Sequence, residues 1–391
     1  MRAPAVFGTV FGTVVGTVVG KSADTAPDTI APRIRPPLLS AHAVTIPVVW
    51  PDTARLEAFD QWMHEISPRH GLDPLSLQPA SADASFRRYL RLRGAQGSLI
   101  VMDAPPPLED VRPFQQVAAL IEAAGLNAPR VLEADVEQGF LLLTDLGECL
   151  YLDALNQADA AQADRLMRDA MRALVQFQLR VPADVLPPFD RRLLQSELEL
   201  FPTWCAQTEF ALQWSAAEQA IWQQVCGLLI DSALAQPQIA VHADWMPRNL
   251  MVAAAGCPSP GILDFQDAVR GPITYDMASL LRDAFVSWPE EQELDWAIRG
   301  WEMARQAGLP VDPDFGEHWR ALEWMGLQRH LKVLGIFCRL KHRDGKGRYA
   351  EDLPRFFAYA RRVALRYGPL KPLLRLLEPM TDEKLSSGYT F

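Results

Sequence analysis

The sequence predicts an α+β protein in two parts, in which a small antiparallel sheet comes first and a mostly helical region follows. Three observations support this prediction. Short runs of alternating apolar and polar residues, which are typical of half-buried strands, lie between residues 75 and 143. Apolar residues recur at helical spacing from residue 150 onward. The chain has 391 residues, which is enough for two domains.

Residues 1–50 differ from the rest of the chain in composition. Residues 6–20 repeat a four-residue pattern rich in glycine and threonine, and a proline-rich stretch follows. Glycine at every fourth position weakens a helix, and the run is short for a membrane span. A charged start before an apolar run also occurs in signal peptides, but Lys21 interrupts the region where a small-residue cleavage site is expected. We expect a disordered extension, with export as the alternative.

Residues 51–146 are predicted to form the first domain. Asp52 and Thr53 are candidate caps of a helix that continues to Ile66, and a second helix is expected from Leu108 until Gly125 ends it. The strands are predicted within 75–92, where the turn 82–85 joins two alternating runs, and at 98–103, 129–133 and 139–143.

Residues 147–391 are predicted to form a helical second domain. The helices expected at 150–155 and 160–178 have apolar stripes that indicate core packing. Asp190 is the expected N-cap of a helix that begins an insertion. The segment 239–267 interrupts the helices with short apolar runs and polar loops, and it carries the chemistry.

The run 239–251 contains the pattern H-x-D-x-x-x-x-N, formed by His242, Asp244 and Asn249, and Asp264 ends a second short apolar run. Phosphoryl transfer from ATP requires a carboxylate that orients the acceptor hydroxyl and takes its proton, which suits Asp244. It also requires oxygen ligands for Mg²⁺, which suits Asn249 and Asp264. Loop-capping residues alone would need neither this order nor this spacing.

These motifs resemble the catalytic and metal-binding loops of the aminoglycoside phosphotransferase and choline kinase superfamily, which shares the protein-kinase fold. The segment 264–267, Asp-Phe-Gln-Asp, fits that superfamily better than the D-F-G of protein kinases. More narrowly, residues 242–249, 263–269 and 275–285 resemble the bacterial anomeric kinases of N-acetylmuramate and N-acetylglucosamine, which return cell-wall sugars to peptidoglycan synthesis. The resemblance implies a two-lobed kinase-like fold, ATP and Mg²⁺ as cofactors, and a small sugar as the acceptor.

The resemblance also implies a role for each residue of the catalytic segment. Asp244 is the catalytic base that accepts the proton of the anomeric hydroxyl. Asn249 and Asp264 hold Mg²⁺. His242 and Asp276 hold the catalytic loop in shape, with Asp276 acting from the helix that follows.

The ATP phosphates are expected near the turn that contains Ser85, although this turn has no glycines. Met102 stands where a kinase carries its phosphate-binding lysine. The phosphate charge must then be met by another cation, and Arg88 or one of its neighbours Arg87 and Arg91 is the candidate.

Adenine is expected to meet the backbone at the end of the first domain. Leu143 and Asp145 lie in the segment 143–147, which is the predicted hinge between the two lobes. Backbone recognition requires no particular side chain, so this prediction rests on the resemblance.

Acceptor binding has four further candidates, which are Glu199, Asp267, Arg329 and His330. Glu199 lies in the insertion, and Glu197 two residues earlier would face another way on a helix. The polar segment 328–332 offers cations for the lactyl carboxylate of N-acetylmuramate. The alternative roles of Asp267 are to cap a helix or to bind the metal ion.

Composition excludes some partners and leaves two rival functions open. A net charge of −10 argues against nucleic acid binding, and the odd number of five cysteines, without metal-ligand spacing, indicates reduced thiols in the cytoplasm. We expect no membrane partner and a monomer. The rivals are another acceptor, such as an aminoglycoside, and a regulatory pseudokinase, which would suit Met102 but not the intact Asp244, Asn249 and Asp264.

Overall fold

The computed structural model describes residues 48–82 and 86–381, so most of the predicted extension lies outside the described residues. The chain divides into two compact units. Among the described residues, the first comprises 48–82, 86–112 and 130–145, and the second comprises 113–129 and 146–381. One boundary therefore falls between Asp145 and Leu146, inside the segment predicted as a hinge. The hinge itself stays a prediction.

Within residues 48–82, 86–112 and 130–145, the first unit contains one helix and a five-stranded antiparallel sheet of order β1-β2-β3-β5-β4. Its elements are α1 Thr53–His70, β1 Asp73–Ala82, β2 Arg88–Gly94, β3 Gly97–Asp103, β4 Val131–Asp135 and β5 Phe140–Thr144. Asp52 caps α1 as predicted, because its carboxylate accepts a hydrogen bond from Arg55 N at 2.7 Å. Trp62 of α1 stacks on Phe140 of β5 at 5.3 Å, which places the apolar core between the helix and the sheet.

The second predicted helix, α2, begins later than expected, at Arg112, and extends to Ala123. The preceding residues form a turn instead, in which Leu108 N and Glu109 N both donate to Pro105 O. Gly125 ends the helix as predicted, with a φ of +74° that favours glycine. The ring of Phe114 packs on Phe265 at 4.7 Å, so α2 belongs with the second unit, whereas the sequence assigned it to the first domain.

The second unit is mostly helical and also carries two pairs of short strands. Its helices are α3 Tyr151–Gln157, α4 Ala160–Arg180, α5 Arg191–Leu198, a π-helix at Phe201–Glu209, α6 Ala216–Ala235, α7 Tyr275–Leu281, α8 Glu290–Gln306, α9 Phe315–Asp344, α10 Leu353–Arg366 and α11 Leu373–Leu377. Its strands are β6 Gln238–Val241, β7 Leu250–Met251, β8 Gly261–Ile262 and β9 Val269–Pro272. Asp190 caps α5 as predicted, accepting from Leu193 N at 2.8 Å.

No helix within 48–82 or 86–381 is long and apolar enough to cross a membrane. All five cysteines lie in these ranges and are free thiols.

The buried helix α9 passes close to the chain just before the π-helix. A methyl group added at Gly335 would lie 2.6 Å from Leu200 O, which is closer than real Cβ contacts allow. Gly335→Ala must therefore displace backbone and is expected to lower the free energy of unfolding by about 1–3 kcal/mol.

Urea unfolding of Gly335→Ala and Gly227→Ala tests this prediction. Gly227 lies inside α6 with no atom within 4 Å of an added methyl group, so alanine there should stabilise the protein by up to about 1 kcal/mol. Equal effects of the two substitutions would contradict the close approach.

Candidate active site

Two strand pairs position the segment that carries the candidate catalytic motif. β6 pairs with β9, and β7 pairs with β8 so that Leu250 lies opposite Ile262. Asn249 precedes β7 and Asp264 follows β8, so the pairing brings these two residues together. Asn249 Nδ2 lies 3.4 Å from Asp264 Oδ2 and also donates to Asp244 O at 3.0 Å.

Asp276 contacts the backbone of the catalytic loop from the first turn of α7. Its carboxylate accepts hydrogen bonds from His242 N at 2.7 Å and from Ala243 N at 3.1 Å. Ala243 has a φ of +79°, a conformation that non-glycine residues rarely adopt. Such strain persists only where surrounding contacts impose it, and the two hydrogen bonds to Asp276 do so here.

His242 is fully buried and lies edge-on to Trp245, with ring centroids 5.4 Å apart. Burial lowers its pKa to about 4, so the imidazole is neutral at physiological pH. Its Nδ1 accepts a hydrogen bond from Asp244 N at 3.3 Å. His242 therefore contacts the loop backbone from within the apolar core.

Asp244 is buried next to both negative and positive side chains. Its pKa is raised to about 7, mainly by burial; Asp264 and Asp267 also act to raise the pKa, whereas Lys332 and Arg329 act to lower it. A carboxyl group with a pKa near the working pH is suited to accept a proton during the reaction.

Asp264 and Asp267 converge on the side-chain amide of Gln266. Gln266 Nε2 donates to Asp264 Oδ1 at 2.9 Å and to Asp267 Oδ2 at 3.1 Å. Asp264 has a φ of +59°, which aspartate tolerates better than most residues. Sequence reasoning assigned no role to Gln266, because only the fold turns its amide toward both carboxylates.

The oxygen atoms at this position suit Mg²⁺. No group of three or more His, Cys, Asp or Glu side chains in the described part of the chain is arranged to hold a metal alone. Mg²⁺ commonly takes only one or two protein carboxylates, with water and substrate phosphates completing its shell. Gln266 Nε2 donates to both Asp264 and Asp267, so the two carboxylates approach one common point.

Two cations of α9 lie beside the catalytic loop. Arg329 Nη1 donates to Ala243 O at 3.0 Å, and its guanidinium lies 4.6 Å from the centre of the Tyr275 ring. Lys332 Nζ donates to Glu197 Oε1 at 2.6 Å and lies 3.4 Å from the Tyr275 hydroxyl. These contacts join α5, α7 and α9 to the residue that precedes Asp244.

In the first unit, the candidate for phosphate binding already has a carboxylate partner. Arg88 Nε donates to Asp103 at 2.9 Å, and the guanidinium packs over the ring of Trp50. Arg55 donates to the same buried carboxylate at 2.9 Å. Arg87 approaches Glu109 at 3.7 Å. Ionic contacts thus hold Arg55 and Arg88 at the end of β3 and Arg87 beside Glu109.

Two of the other nucleotide-binding candidates lie on β3 and β5. Met102 and Leu143 are buried in the sheet. The carboxylate of Asp145 accepts from Arg91 Nε at 2.6 Å, so its side chain is engaged within the unit. Ser85 lies outside the described residues.

Residues 76–320 match the model of the phosphotransferase enzyme family. The chain belongs to this family. It is 47% identical over 333 residues to the N-acetylmuramate/N-acetylglucosamine kinase of Pseudomonas aeruginosa, which covers 83% of this chain and 97% of the relative. It is 52% identical over 303 residues to the kinase of the same name from Pseudomonas putida, across 77% of this chain and 87% of the relative.

Solved structures of other phosphotransferases share the fold. The GDP complex of wild-type aminoglycoside 2′-phosphotransferase-IIIa has a TM-score of 0.51 at 14% identity, covering 77% of this chain and 98% of that one. Plasmodium vivax ethanolamine kinase has a TM-score of 0.51 at 11% identity, covering 84% and 92% of the two chains. The predicted kinase-like α+β class and the resemblance to this superfamily are thereby confirmed.

Two acceptor candidates of this phosphotransferase do not join the cluster around Asp244. His330 stacks on Tyr359 at 4.7 Å, because consecutive residues of a helix point about 100° apart and Arg329 takes the face toward the loop. Glu199 directly follows α5, and its carboxylate accepts a hydrogen bond from the Gln195 side chain at 2.5 Å. The structure instead brings Glu197 and Lys332 together, and a separation of 135 residues left no local signal of that contact.

Arg329 tests whether α9 discriminates between sugars or supports the loop. The guanidinium of Arg329 donates a hydrogen bond to Ala243 O. We therefore expect Arg329→Ala to lower kcat for N-acetylmuramate and N-acetylglucosamine by the same factor, about tenfold or more. Steady-state kinetics with both sugars would measure the ratio of their kcat/KM values. A selective loss with N-acetylmuramate would instead assign Arg329 to its carboxylate.

Proposed function

We propose that this phosphotransferase transfers the γ-phosphoryl group of ATP to the anomeric hydroxyl of N-acetylmuramate and N-acetylglucosamine, giving the sugar 1-phosphate. The observation that carries the proposal is the buried Asp244, whose pKa is about 7, within 239–267, the segment that also holds Asn249 and Asp264. The names of relatives that are 46–52% identical support the choice of acceptor.

Asp244 orients the anomeric hydroxyl and accepts its proton as the oxygen bonds to the γ-phosphorus and the bond to the β–γ bridging oxygen breaks. Asn249, Asp264 and Asp267 are the residues that would hold Mg²⁺, and the bound ion would offset charge on the phosphates. Asp276 and His242 keep the loop backbone in place, so that Asp244 needs little reorganisation before transfer.

Residues of the first unit are proposed to bind ATP. Arg88 is proposed to meet phosphate charge in place of a lysine, with Ser85 adding a donor. The backbone near Leu143 and Asp145 is proposed to bind adenine, and Met102 is proposed to line the adenine site.

We further propose that the protein acts as a cytoplasmic monomer that returns cell-wall sugars to peptidoglycan synthesis. ATP-dependent chemistry and five free cysteines fit a reducing compartment. Light scattering of the purified protein would test the monomer, and a stable dimer would contradict it.

An ATP-consumption assay with phosphorus NMR of the product tests the reaction. The acceptors to compare are N-acetylmuramate, N-acetylglucosamine, glucose and kanamycin. We expect a 1-phosphate from both N-acetylated sugars and no product from kanamycin. Turnover with kanamycin alone would contradict the acceptor, and ATP binding without turnover on any acceptor would favour a regulatory pseudokinase.

A further inference from the structure

A buried ion pair adjoins the catalytic loop and has no part in the mechanism described so far. Glu197 at the end of α5 and Lys332 of α9 approach to 2.6 Å, and the side chain of each is only 9% exposed. Surface pairs contribute little to stability, whereas buried pairs lose much solvation and need further hydrogen bonds to offset that loss. Glu197 and Lys332 are therefore expected to form further hydrogen bonds.

The two carboxylate oxygens of Glu197 have unequal surroundings. Oε1 accepts the hydrogen bond from Lys332, but Oε2 is buried and has no hydrogen-bond partner among residues 48–82 and 86–381. A buried acceptor without a donor costs about 1–3 kcal/mol. A hydrogen-bond donor from outside the chain would remove that cost.

The position of the pair suits contact with the acceptor. Lys332 Nζ also lies 3.4 Å from the Tyr275 hydroxyl. The Tyr275 ring packs against the guanidinium of Arg329, which donates a hydrogen bond to Ala243 O. Glu197 is thus connected to the residue beside Asp244 by a short series of direct contacts. The positive charge of Lys332 also acts on Asp244.

We infer that Glu197 recognises the acceptor sugar, with Oε2 accepting a hydrogen bond from an acetamido N–H or a ring hydroxyl. This inference rests on the proposed function. Lys332 holds Oε1 and thereby orients Oε2. Because the two charges cancel, the pair binds a neutral donor without favouring an anionic or a neutral sugar. Both N-acetylmuramate and N-acetylglucosamine present such donors.

Kinetics of Glu197→Gln and Lys332→Met test the inference. Both variants should raise KM for the two sugars at least about tenfold and leave KM for ATP within about twofold of wild type. Lys341→Met is the matched control, since Lys341 pairs with Glu209 at 2.6 Å on another part of α9. The inference would be overturned if Glu197→Gln left KM for both sugars unchanged, or if KM for the sugars rose in Glu199→Gln alone.

Glucose distinguishes the two possible donors. If Oε2 accepts from the acetamido N–H, Glu197→Gln should reduce the preference for N-acetylglucosamine over glucose. If it accepts from a ring hydroxyl, kcat/KM should fall equally for both. Either pattern supports recognition by Glu197, and a change in kcat with unaltered sugar KM would contradict it.

A crystal structure of the wild-type protein with N-acetylglucosamine keeps the inference testable if the variants do not fold. A sugar donor within about 3.2 Å of Glu197 Oε2 would support it. Ordered water alone at Oε2, with sugar bound elsewhere, would overturn it. Failure of the proposed function is distinguishable, because wild-type protein would then form no sugar 1-phosphate at all.

Discussion

Asp244→Asn is expected to lower kcat for N-acetylglucosamine by about 10³-fold or more and to leave KM for sugar and ATP nearly unchanged. Asparagine has nearly the shape of aspartate but cannot accept the hydroxyl proton. The loop should keep its shape, because its hydrogen bonds to Asp276 involve only the backbone of His242 and Ala243. Coupled ATP-consumption kinetics would measure the loss.

The stability of the same variant gives a second readout. Burial raises the pKa of Asp244 to about 7, so ionisation of this carboxyl destabilises the fold as pH rises from its unfolded value near 4 through 7. Asparagine removes that charge. In magnesium-free buffer at pH 8, the Tm of Asp244→Asn should therefore equal or exceed that of wild type. A markedly lower Tm would mean that the lost activity reflects damage to the fold.

Asp231→Asn is the matched control for this prediction. Asp231 forms an ion pair with Arg191 in which both side chains are exposed, whereas Asp244 is buried. Such surface pairs contribute little, so both activity and Tm should stay at the wild-type level. Near-normal turnover in Asp244→Asn would refute the assignment of the catalytic base.

Asp264→Asn is expected to lower kcat about 100-fold or more and to raise the Mg²⁺ concentration needed for half-maximal rate. The substitution removes one negative charge from the proposed metal ligands. Asparagine adopts positive φ readily, so the turn at +59° should persist. Rates measured against free Mg²⁺ at saturating ATP would separate metal binding from chemistry.

Asp264→Ala serves as the comparison, because it removes the ligand and also strains the turn. We expect Asp264→Ala to lose stability as well as activity, whereas Asp264→Asn loses activity alone. An unaltered Mg²⁺ requirement in both variants would contradict a metal role for Asp264.

Local signals in the sequence predicted much of the fold and the catalytic segment. Asp52 and Asp190 were expected to cap helices and do so, because a cap is a contact between residues three positions apart. The order and spacing of Asp244, Asn249 and Asp264 indicated phosphoryl transfer, and the family match agrees with it.

Elements with weak or mixed local signals were missed. The strand β9 contains Gly271 and Pro272, which do not suit a strand, yet pairing with β6 holds it in place. The helix α2 starts at Arg112, because the residues after Pro105 form a hydrogen-bonded turn that the apolar spacing did not show.

The sequence by itself determined the family and the kinase-like class, and it predicted the residues of the catalytic motif, since each depends on neighbours along the chain. The tertiary structure alone decided which distant side chains meet. Glu197 lies 135 residues from Lys332, and Arg55 lies 48 residues from Asp103. Contacts of this kind depend on how helices and strands pack, and burial then gives Asp244 and its neighbours properties that no local pattern encodes.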